Sequence, residues 1–181
     1  ECVIRGDDHI NNTPKQINLY EAMGWPIPKF AHVPMILGSD GSRLSKRHGA
    51  LNLLSYRDEG LLPHALLNYI VRLGWSHGDQ EIFSVDEMIQ LFELNNINNS
   101  PASFNQEKLE WINQSHIKTT EVKVLVANLK WHFDQLKIQI DNGPNINEVV
   151  DALRDRSKSL VDMAQSCIMF YKDFKEFDSI Q

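Results

Sequence analysis

The chain has 181 residues and is 42% hydrophobic, which is enough to build packed cores and too apolar for an intrinsically disordered protein. Its net charge of −6 argues against indiscriminate binding to nucleic acid, although a local basic patch fitted to one nucleic acid is compatible with that charge. No run of about 18 apolar residues occurs, so no transmembrane helix and no membrane partner are expected.

The two cysteines, Cys2 and Cys167, lie far apart in sequence. Neither has the CxxC or His/Cys spacing of a metal site, so we expect a reduced, cytoplasmic protein with no metal site in this chain. The chain opens with ECVIRGDDH, which is neither an initiator methionine nor a signal peptide. A piece of a longer protein is therefore expected.

The first forty residues predict an α/β unit. Cys2–Gly6 is typical of a short buried strand, and residues 28–38 predict a second one. Between them a helix is predicted over about 14–23, with Thr13 as its N-cap and Gln16 completing a capping box. Strand, helix and strand in this order predict a parallel sheet, whose ligands lie beyond the carboxyl ends of the strands.

From about residue 51 the pattern becomes helical. A helix is predicted from Pro63 to Gly74, and Ser84 with Glu87 predicts a capping box at the start of the next one. Further helices are predicted over NQEKLEWIN (105–113), EVKVLVANLKWHFDQL (121–136) and, as one long helix or two stacked ones, residues 146–174, with a loop at 139–147 before the last.

A basic loop follows the apolar run VPMIL. Residues 38–49 read GSDGSRLSKRHG and place Arg43, Lys46 and Arg47 between glycines. One interpretation is a solvated surface loop. The other is an anion clamp, in which two or three cations hold a triphosphate and the charge that develops as pyrophosphate leaves.

A second polar motif, RGDDH, follows the first predicted strand. It serves either as a turn into the next helix or as a binding motif. In the binding interpretation, Arg5 holds a carboxylate in a bidentate fork, Asp8 accepts hydrogen bonds from a ribose diol, and His9 packs against a flat ring.

Three long segments carry a family resemblance: VIRGDDHINNTPKQINLYEAMGW, FAHVPMILGSDGSRLSKRHGA and YRDEGLLPHALLNYIVRLGWSHGDQEIFS. Their order and spacing closely resemble the bacterial glutamyl-tRNA synthetases, which are class I aminoacyl-tRNA synthetases. RLSKR resembles the second signature of that class, the KMSKS loop. The resemblance spans the chain and is closest through about residue 115.

The resemblance implies an α/β second half of a Rossmann-like class I catalytic domain over residues 1–50. A mainly helical stem-contact domain is implied over residues 51–118, and the start of an all-α anticodon-binding domain over residues 119–181. The HIGH signature, the acceptor-end insertion and the far anticodon cage are absent from the chain. This fragment alone is therefore expected not to aminoacylate tRNA.

The resemblance also implies roles for the basic loop. Lys46 would contact the ATP phosphates, with Ser45 and Arg47 supporting it. Arg43 occupies the first signature position, where lysine is common; arginine keeps the charge and changes the geometry.

By the same resemblance, Arg5 would bind the side-chain carboxylate of glutamate. Asp8 would face the ATP ribose, His9 would lie near the adenine, and the backbone at Met35 and Ile36 would approach that base.

The implied function is that of a glutamate–tRNA ligase, a cytoplasmic monomer that uses ATP and Mg²⁺ to activate L-glutamate and transfers it to the 3′ end of tRNA(Glu). Two alternatives stay open. One is a tRNA-modifying relative that transfers glutamate to an anticodon base, against which residues 119–181 count. The other is a non-catalytic tRNA-binding or regulatory module. Whether tRNA(Gln) is also charged is left undecided by this sequence.

Other residues are interpreted structurally. Trp75, His77 and Asp79 are predicted to form a turn and not a polar site. Trp111 and Trp131 are predicted to be core or half-buried packing rather than platforms for base stacking.

Overall fold

The computed structural model describes residues 1–45 and 52–172. Two units are recognised within the chain. Unit 1 consists of Glu1–Ala50 and Asn68–Asn105, and unit 2 consists of Leu51–Leu67 and Gln106–Gln181. The bounds of the three domains expected from the resemblance remain a prediction. No helix in the described ranges is both long and apolar enough to cross a membrane.

Unit 1 begins with the predicted strand–helix–strand motif. Strand β1 (Cys2–Gly6), helix α1 (Thr13–Ala22) and strand β2 (Lys29–Val33) follow one another, and β1 and β2 pair in parallel. The register places Arg5 opposite His32. The predicted parallel α/β arrangement is therefore confirmed for this part of the chain.

The predicted N-cap of α1 is wrong. A 3-10 helix at Asp7–Asn12 runs directly into α1, so Asn12 has helical backbone angles (φ −87°, ψ −24°) and makes no capping bond. An N-cap needs extended backbone angles, and the chain is already helical at this point. Thr13 is the first helical residue, and its hydroxyl lies 3.4 Å from the carbonyl of His9 instead of closing a capping box.

The second predicted strand is split in two. Pro34 separates β2 from the short strand β3 (Ile36–Leu37), because proline has no N–H to donate to a sheet. β3 pairs in parallel with β4 (Ala102–Ser103), not with β2. The basic loop therefore follows a strand of a second small sheet, while RGDDH follows a strand of the first.

The remainder of unit 1 packs around two aromatic rings. Helix α3 (Pro63–Gly74) crosses the division between the units, and α4 (Val85–Leu91) begins with the predicted Ser84–Glu87 capping box. Trp75, Phe83 and Met88 form a buried cluster.

The turn after α3 is built on Trp75. Its ring is 2% exposed and stacks on that of His77 with centroids 6.0 Å apart. The amide of Gln80 donates to the carbonyl of His77, and Gly78 provides the positive φ of 54° that the bend requires. The interpretation of this segment as a turn is confirmed.

Tyr69 anchors the segment before helix α5 (Gln106–Thr119). Its buried hydroxyl donates to the carbonyl of Asn105 (3.0 Å) and accepts from the amide of the same residue (2.7 Å). Tyr69→Phe leaves both backbone groups without this partner, so we expect a loss of about 1–2 kcal/mol in the free energy of unfolding. Urea unfolding checks this, with Tyr20→Phe as control. A loss equal to that of the control would contradict the anchoring role.

Unit 2 is helical and packs α6, α7 and α8 against one another. Its elements are α2 (Leu53–Asp58), the first part of α3, α5 (Gln106–Thr119), α6 (Val122–Leu136), α7 (Ile146–Leu153) and α8 (Leu160–Tyr171). The predicted stretch 146–174 is thus two helices, and Phe174 lies outside the described residues. The core is apolar and includes Leu62, Leu109, Ile112, Leu125, Leu129, Val150, Met163 and Cys167.

A buried amide holds three segments of unit 2 together. The Asn113 side chain accepts from the amide of Leu62 (2.8 Å) and donates to the carbonyl of Lys158 (2.8 Å). Alongside it, the amide of Leu160 donates to the carbonyl of Gly60 over 2.8 Å. The segment before α8 therefore lies directly on the turn before α3.

The two tryptophans of unit 2 differ. Trp131 is half-buried beneath the guanidinium of Arg57 (4.2 Å to the ring centroid), as predicted. Trp111 is 45% exposed, and Lys108 lies 4.3 Å from its centroid. The packing prediction is wrong for Trp111, because the buried face of α5 is formed by its neighbours Leu109 and Ile112.

Two histidines of unit 2 pack with the edge of one ring against the face of the other. His64 and His116 have centroids 4.9 Å apart, and the His64 imidazole contacts the hydroxyl of Thr120 (3.0 Å). Burial, followed by the charge of His64, lowers the pKa of His116 to about 4, and burial lowers the pKa of His64.

Acid should therefore destabilise unit 2. In the unfolded chain His116 gains a proton near pH 6.5, whereas in the folded chain it gains one only near pH 4. The free energy of unfolding therefore falls as the pH falls through this window. We expect His116 to account for a loss of about 2 kcal/mol between pH 7 and pH 5. Urea unfolding at both pH values checks this. In a His116→Gln variant the free energy of unfolding should depend less steeply on pH than in wild type. A variant of the exposed His9, His9→Gln, should keep the wild-type slope. Equal slopes in wild type and both variants would contradict the role of His116.

Candidate active site

Arg5 lies at the carboxyl end of β1 and is held by side chains from three elements. Its Nη2 donates to the hydroxyl of Thr13 on α1 (2.8 Å), and its Nε points to Nε2 of His32 on β2 (3.5 Å). The ring of Phe30 lies 5.1 Å from the guanidinium carbon. A half-buried cation therefore stands where parallel sheets bind ligands.

Asp8 joins the two polar motifs. Its Oδ2 lies 3.5 Å from Nη2 of Arg43, a contact that spans 35 positions of sequence. Both side chains are exposed (Asp8 37%, Arg43 69%), so the pair adds little stability. The contact instead defines position, because it places the start of the basic loop beside the segment that follows Arg5.

Gly6 makes room for Asp8. A Cβ at residue 6 would lie 2.5 Å from Oδ1 of Asp8. The carboxylate therefore folds back over the end of β1, and a side chain at Gly6 would push it away.

The basic loop starts from a tight turn. The amide of Gly38 donates to the carbonyl of Ser42 (2.8 Å), and Oδ1 of Asp40 accepts from the amide (2.9 Å) and hydroxyl (2.8 Å) of Ser42. The amide of Leu44 then donates to the carbonyl of Ile36 (2.9 Å). The predicted backbone contact of Ile36 with adenine would have to use its N–H or the second lone pair of that carbonyl.

Three further predicted residues, Met35, Ser45 and His9, lie within the described part of the chain. Met35 is half-buried beside β3, and Ser45 is exposed just after the turn. His9 is exposed, and its Nδ1 lies 3.3 Å from the side-chain nitrogen Nδ2 of Asn12. Lys46 and Arg47 lie outside the described residues.

Three residues beside Arg5 and Asp8 were not selected from the sequence. Thr13 was assigned a capping role and His32 no role, yet both contact Arg5. Asp7 has a buried Oδ1 with no hydrogen-bond partner among residues 1–45 and 52–172. His32 could have been selected from the strand register, because parallel pairing of β1 with β2 places it opposite Arg5.

The sequence matches a known family of enzymes. Residues 2–111 match the family model described as "tRNA synthetases class I (E and Q), catalytic domain". The chain is 64% identical over 178 residues to the glutamate–tRNA ligase of Ruthia magnifica subsp. Calyptogena magnifica, covering 98% of this chain and 39% of that protein. It is 62% identical over 176 residues to the glutamate–tRNA ligase of Vesicomyosocius okutanii subsp. Calyptogena okutanii, covering 97% and 39%. The chain thus spans about two fifths of the length of these relatives.

Solved structures agree with this match. The fold superimposes with a TM-score of 0.80, at 30% identity, on a glutamate tRNA ligase from Elizabethkingia meningosepticum in complex with its amino acid, covering 98% of this chain and 39% of that chain. The glutamate-tRNA synthetase of Elizabethkingia anophelis gives a TM-score of 0.79 at 30% identity, covering 98% and 40%. The resemblance recognised from the sequence is confirmed. Because the catalytic-domain model matches more than half of its residues, the chain belongs to the class I tRNA synthetases for glutamate and glutamine.

Proposed function

We propose that the chain is part of a glutamate–tRNA ligase that activates L-glutamate with ATP and transfers it to the 3′ end of tRNA(Glu). The observation that supports this most is the contact between Asp8 and Arg43, which brings the RGDDH motif beside the KMSKS-like loop. Relatives that are 62–64% identical have the same name, glutamate–tRNA ligase.

The substrate glutamate is assigned to Arg5. A guanidinium binds a carboxylate through two parallel N–H donors, and Arg5 is fixed at the end of β1 by neighbouring side chains. Asp8 is assigned to the ATP ribose, with His9 and the backbone of Met35 and Ile36 beside the adenine.

The phosphates are assigned to the basic loop. In the proposed reaction, the α-carboxylate of glutamate attacks the α-phosphorus of ATP in line, and pyrophosphate leaves. Lys46 stabilises the charge that develops on the phosphoryl oxygens, with Ser45, Arg47 and Arg43 supporting it. The ribose hydroxyl at the 3′ end of the tRNA then attacks the glutamyl-adenylate.

Mg²⁺ enters this scheme with the nucleotide. Residues 1–45 and 52–172 include no group of three side chains placed to hold a metal ion. A carboxylate beside Asp8 is nevertheless suited to a phosphate-bound ion, since Oδ1 of Asp7 has no hydrogen-bond partner among the described residues and carboxylate oxygens are the ligands that Mg²⁺ prefers. When bound, the ion would neutralise phosphate charge while Lys46 and Arg43 orient the phosphates.

The remaining parts of the proposal concern the whole protein. Residues 51–118 are assigned to contact with the tRNA stem and residues 119–181 to the start of the anticodon-binding domain. The intact enzyme is proposed to act as a cytoplasmic monomer.

Glutamate-dependent exchange between ATP and pyrophosphate tests the activation step. The full-length protein is assayed with tRNA(Glu) and, in turn, with glutamate, glutamine and aspartate. We expect exchange with glutamate and at most a few per cent of that rate with the other two, because Arg5 would lack a correctly placed carboxylate partner. Equal exchange with glutamine would contradict the role assigned to Arg5. Absence of exchange with every amino acid would contradict the activation chemistry itself.

A further inference from the structure

We propose that Thr13 and His32 are positioning residues, which orient Arg5 so that one edge of its guanidinium faces the incoming carboxylate. This inference rests on the proposed function, in which Arg5 binds the side chain of glutamate.

The contacts define which edge is used by the protein. A guanidinium has five N–H donors in one plane and no acceptor. Nη2 of Arg5 donates to Oγ1 of Thr13 (2.8 Å), and Nε faces Nε2 of His32 (3.5 Å). Because Nε and Nη2 share the side edge of the fork, Thr13 and His32 together occupy that edge.

The adjacent edge of the guanidinium is left for a ligand. Nη1 of Arg5 has no hydrogen-bond partner among the described residues. Nη1 and the second N–H of Nη2 form the end edge, which has the spacing that a carboxylate accepts in bidentate fashion. The ring of Phe30, 5.1 Å away, restricts rotation of the guanidinium out of this plane.

The hydrogen-bond directions follow from the donors available. Arg5 can only donate, so Oγ1 of Thr13 accepts from it and has its own proton left to give. Nε2 of His32 lies 3.1 Å from that hydroxyl, closer than the carbonyl of His9 at 3.4 Å. Nε2 of His32 therefore acts as acceptor toward both Arg5 and Thr13.

This arrangement links three elements to one side chain. Thr13 comes from α1, His32 from β2 and Arg5 from β1, and the parallel register sets Arg5 directly opposite His32. An arginine held on one edge loses less rotational freedom when a carboxylate arrives, which favours binding. Thr13 thus acts on glutamate without contacting it.

Steady-state exchange kinetics of the full-length protein test the inference. The KM for glutamate and the kcat are measured at saturating ATP with tRNA(Glu) for wild type, Thr13→Val, Thr13→Ser, His32→Phe and Arg5→Lys. Thr13→Val is expected to raise the KM for glutamate about 10-fold with kcat within about 2-fold, because binding remote from the reacting carboxylate is lost. Thr13→Ser should return the KM to within about 3-fold of wild type, since it restores the hydroxyl.

A control and a double variant separate positioning from general damage. Thr119→Val removes a helix hydroxyl that, among the described residues, donates to backbone carbonyls of α5, and it should leave the KM unchanged. Thr13→Val should add nothing to the KM of Arg5→Lys, because both changes remove the same interaction. Thermal unfolding of each variant identifies any loss of fold.

Each contrary outcome has a distinct meaning. A wild-type KM in Thr13→Val, a KM in Thr13→Ser as high as in Thr13→Val, or additive effects in the double variant would overturn the positioning role while leaving Arg5 in place. An unchanged KM in Arg5→Lys would overturn both this inference and the assignment of Arg5. Failure of wild type to exchange at all would instead overturn the proposed function.

Discussion

Lys46→Ala is expected to lower glutamate-dependent ATP–pyrophosphate exchange by about 30- to 1,000-fold in the full-length protein. This corresponds to about 2–4 kcal/mol of transition-state stabilisation, the usual effect of removing one preorganised donor from a developing charge. The reason is electrostatic, since no nucleophile is assigned in the chain and the proposed catalysis depends on holding phosphate charge. Lys46 itself lies outside the described residues, so the expectation rests on its position in RLSKR.

Matched variants show whether the effect is specific. Lys15→Ala removes an exposed cation on α1, outside the RLSKR motif, and should leave exchange within about 2-fold of wild type. Lys46→Arg keeps the charge, and its exchange rate should lie between those of the two alanine variants. The planar guanidinium of arginine then replaces the compact charge of the lysine ammonium. Exchange that survives Lys46→Ala would remove this lysine from the mechanism while leaving family membership intact.

Gly60→Ala is expected to destabilise unit 2 by about 2–5 kcal/mol. Gly60 has a φ of +84°, which costs an alanine about 1–2 kcal/mol. The added Cβ would also lie 2.5 Å from the amide nitrogen of Val161 and 2.9 Å from that of Leu160. These are backbone atoms, so the start of α8 would have to move, at a further cost of about 1–3 kcal/mol.

Gly24→Ala separates the two contributions. Gly24 also has a positive φ (64°), but nothing lies within 4 Å of its Cβ position. It should therefore lose only the conformational part, about 1–2 kcal/mol. Urea unfolding followed by circular dichroism measures both. An equal loss in the two variants would show that the close approach of α8 to Gly60 does not constrain the chain.

Elements governed by local chemistry were predictable from the sequence. The capping box of Ser84 and Glu87 needs only four neighbouring residues, and it forms as predicted. Pro63 and Gly74 likewise bound α3 because each acts on its own backbone. These signals do not depend on where the rest of the chain lies.

Elements governed by context were not predictable in the same way. Thr13 has the composition of an N-cap, but the 3-10 helix before it removes the extended backbone that a cap requires. Pro34 ends β2, and the two residues of β3 then pair with residues 66 positions later, Ala102 and Ser103. A sequence pattern predicts neither the 3-10 helix before Thr13 nor the pairing of β3 with β4.

The site shows the same division. The residue types in RGDDH indicated carboxylate and ribose chemistry, and family resemblance assigned Arg5 and Asp8. The contact of Asp8 with Arg43 and that of Arg5 with His32 depend on strand register and loop return, which only the fold provides. Thr13 and His32 were missed for that reason.

Charging of tRNA(Glu) with labelled glutamate by the full-length protein tests the proposed ligase activity most directly. We expect ATP-dependent formation of glutamyl-tRNA that is attached at the 3′ end and released by mild base. Tight binding of tRNA(Glu) with no charging would contradict the ligase activity and favour a non-catalytic tRNA-binding module. Glutamate attached to an anticodon base would contradict it in favour of a tRNA-modifying enzyme.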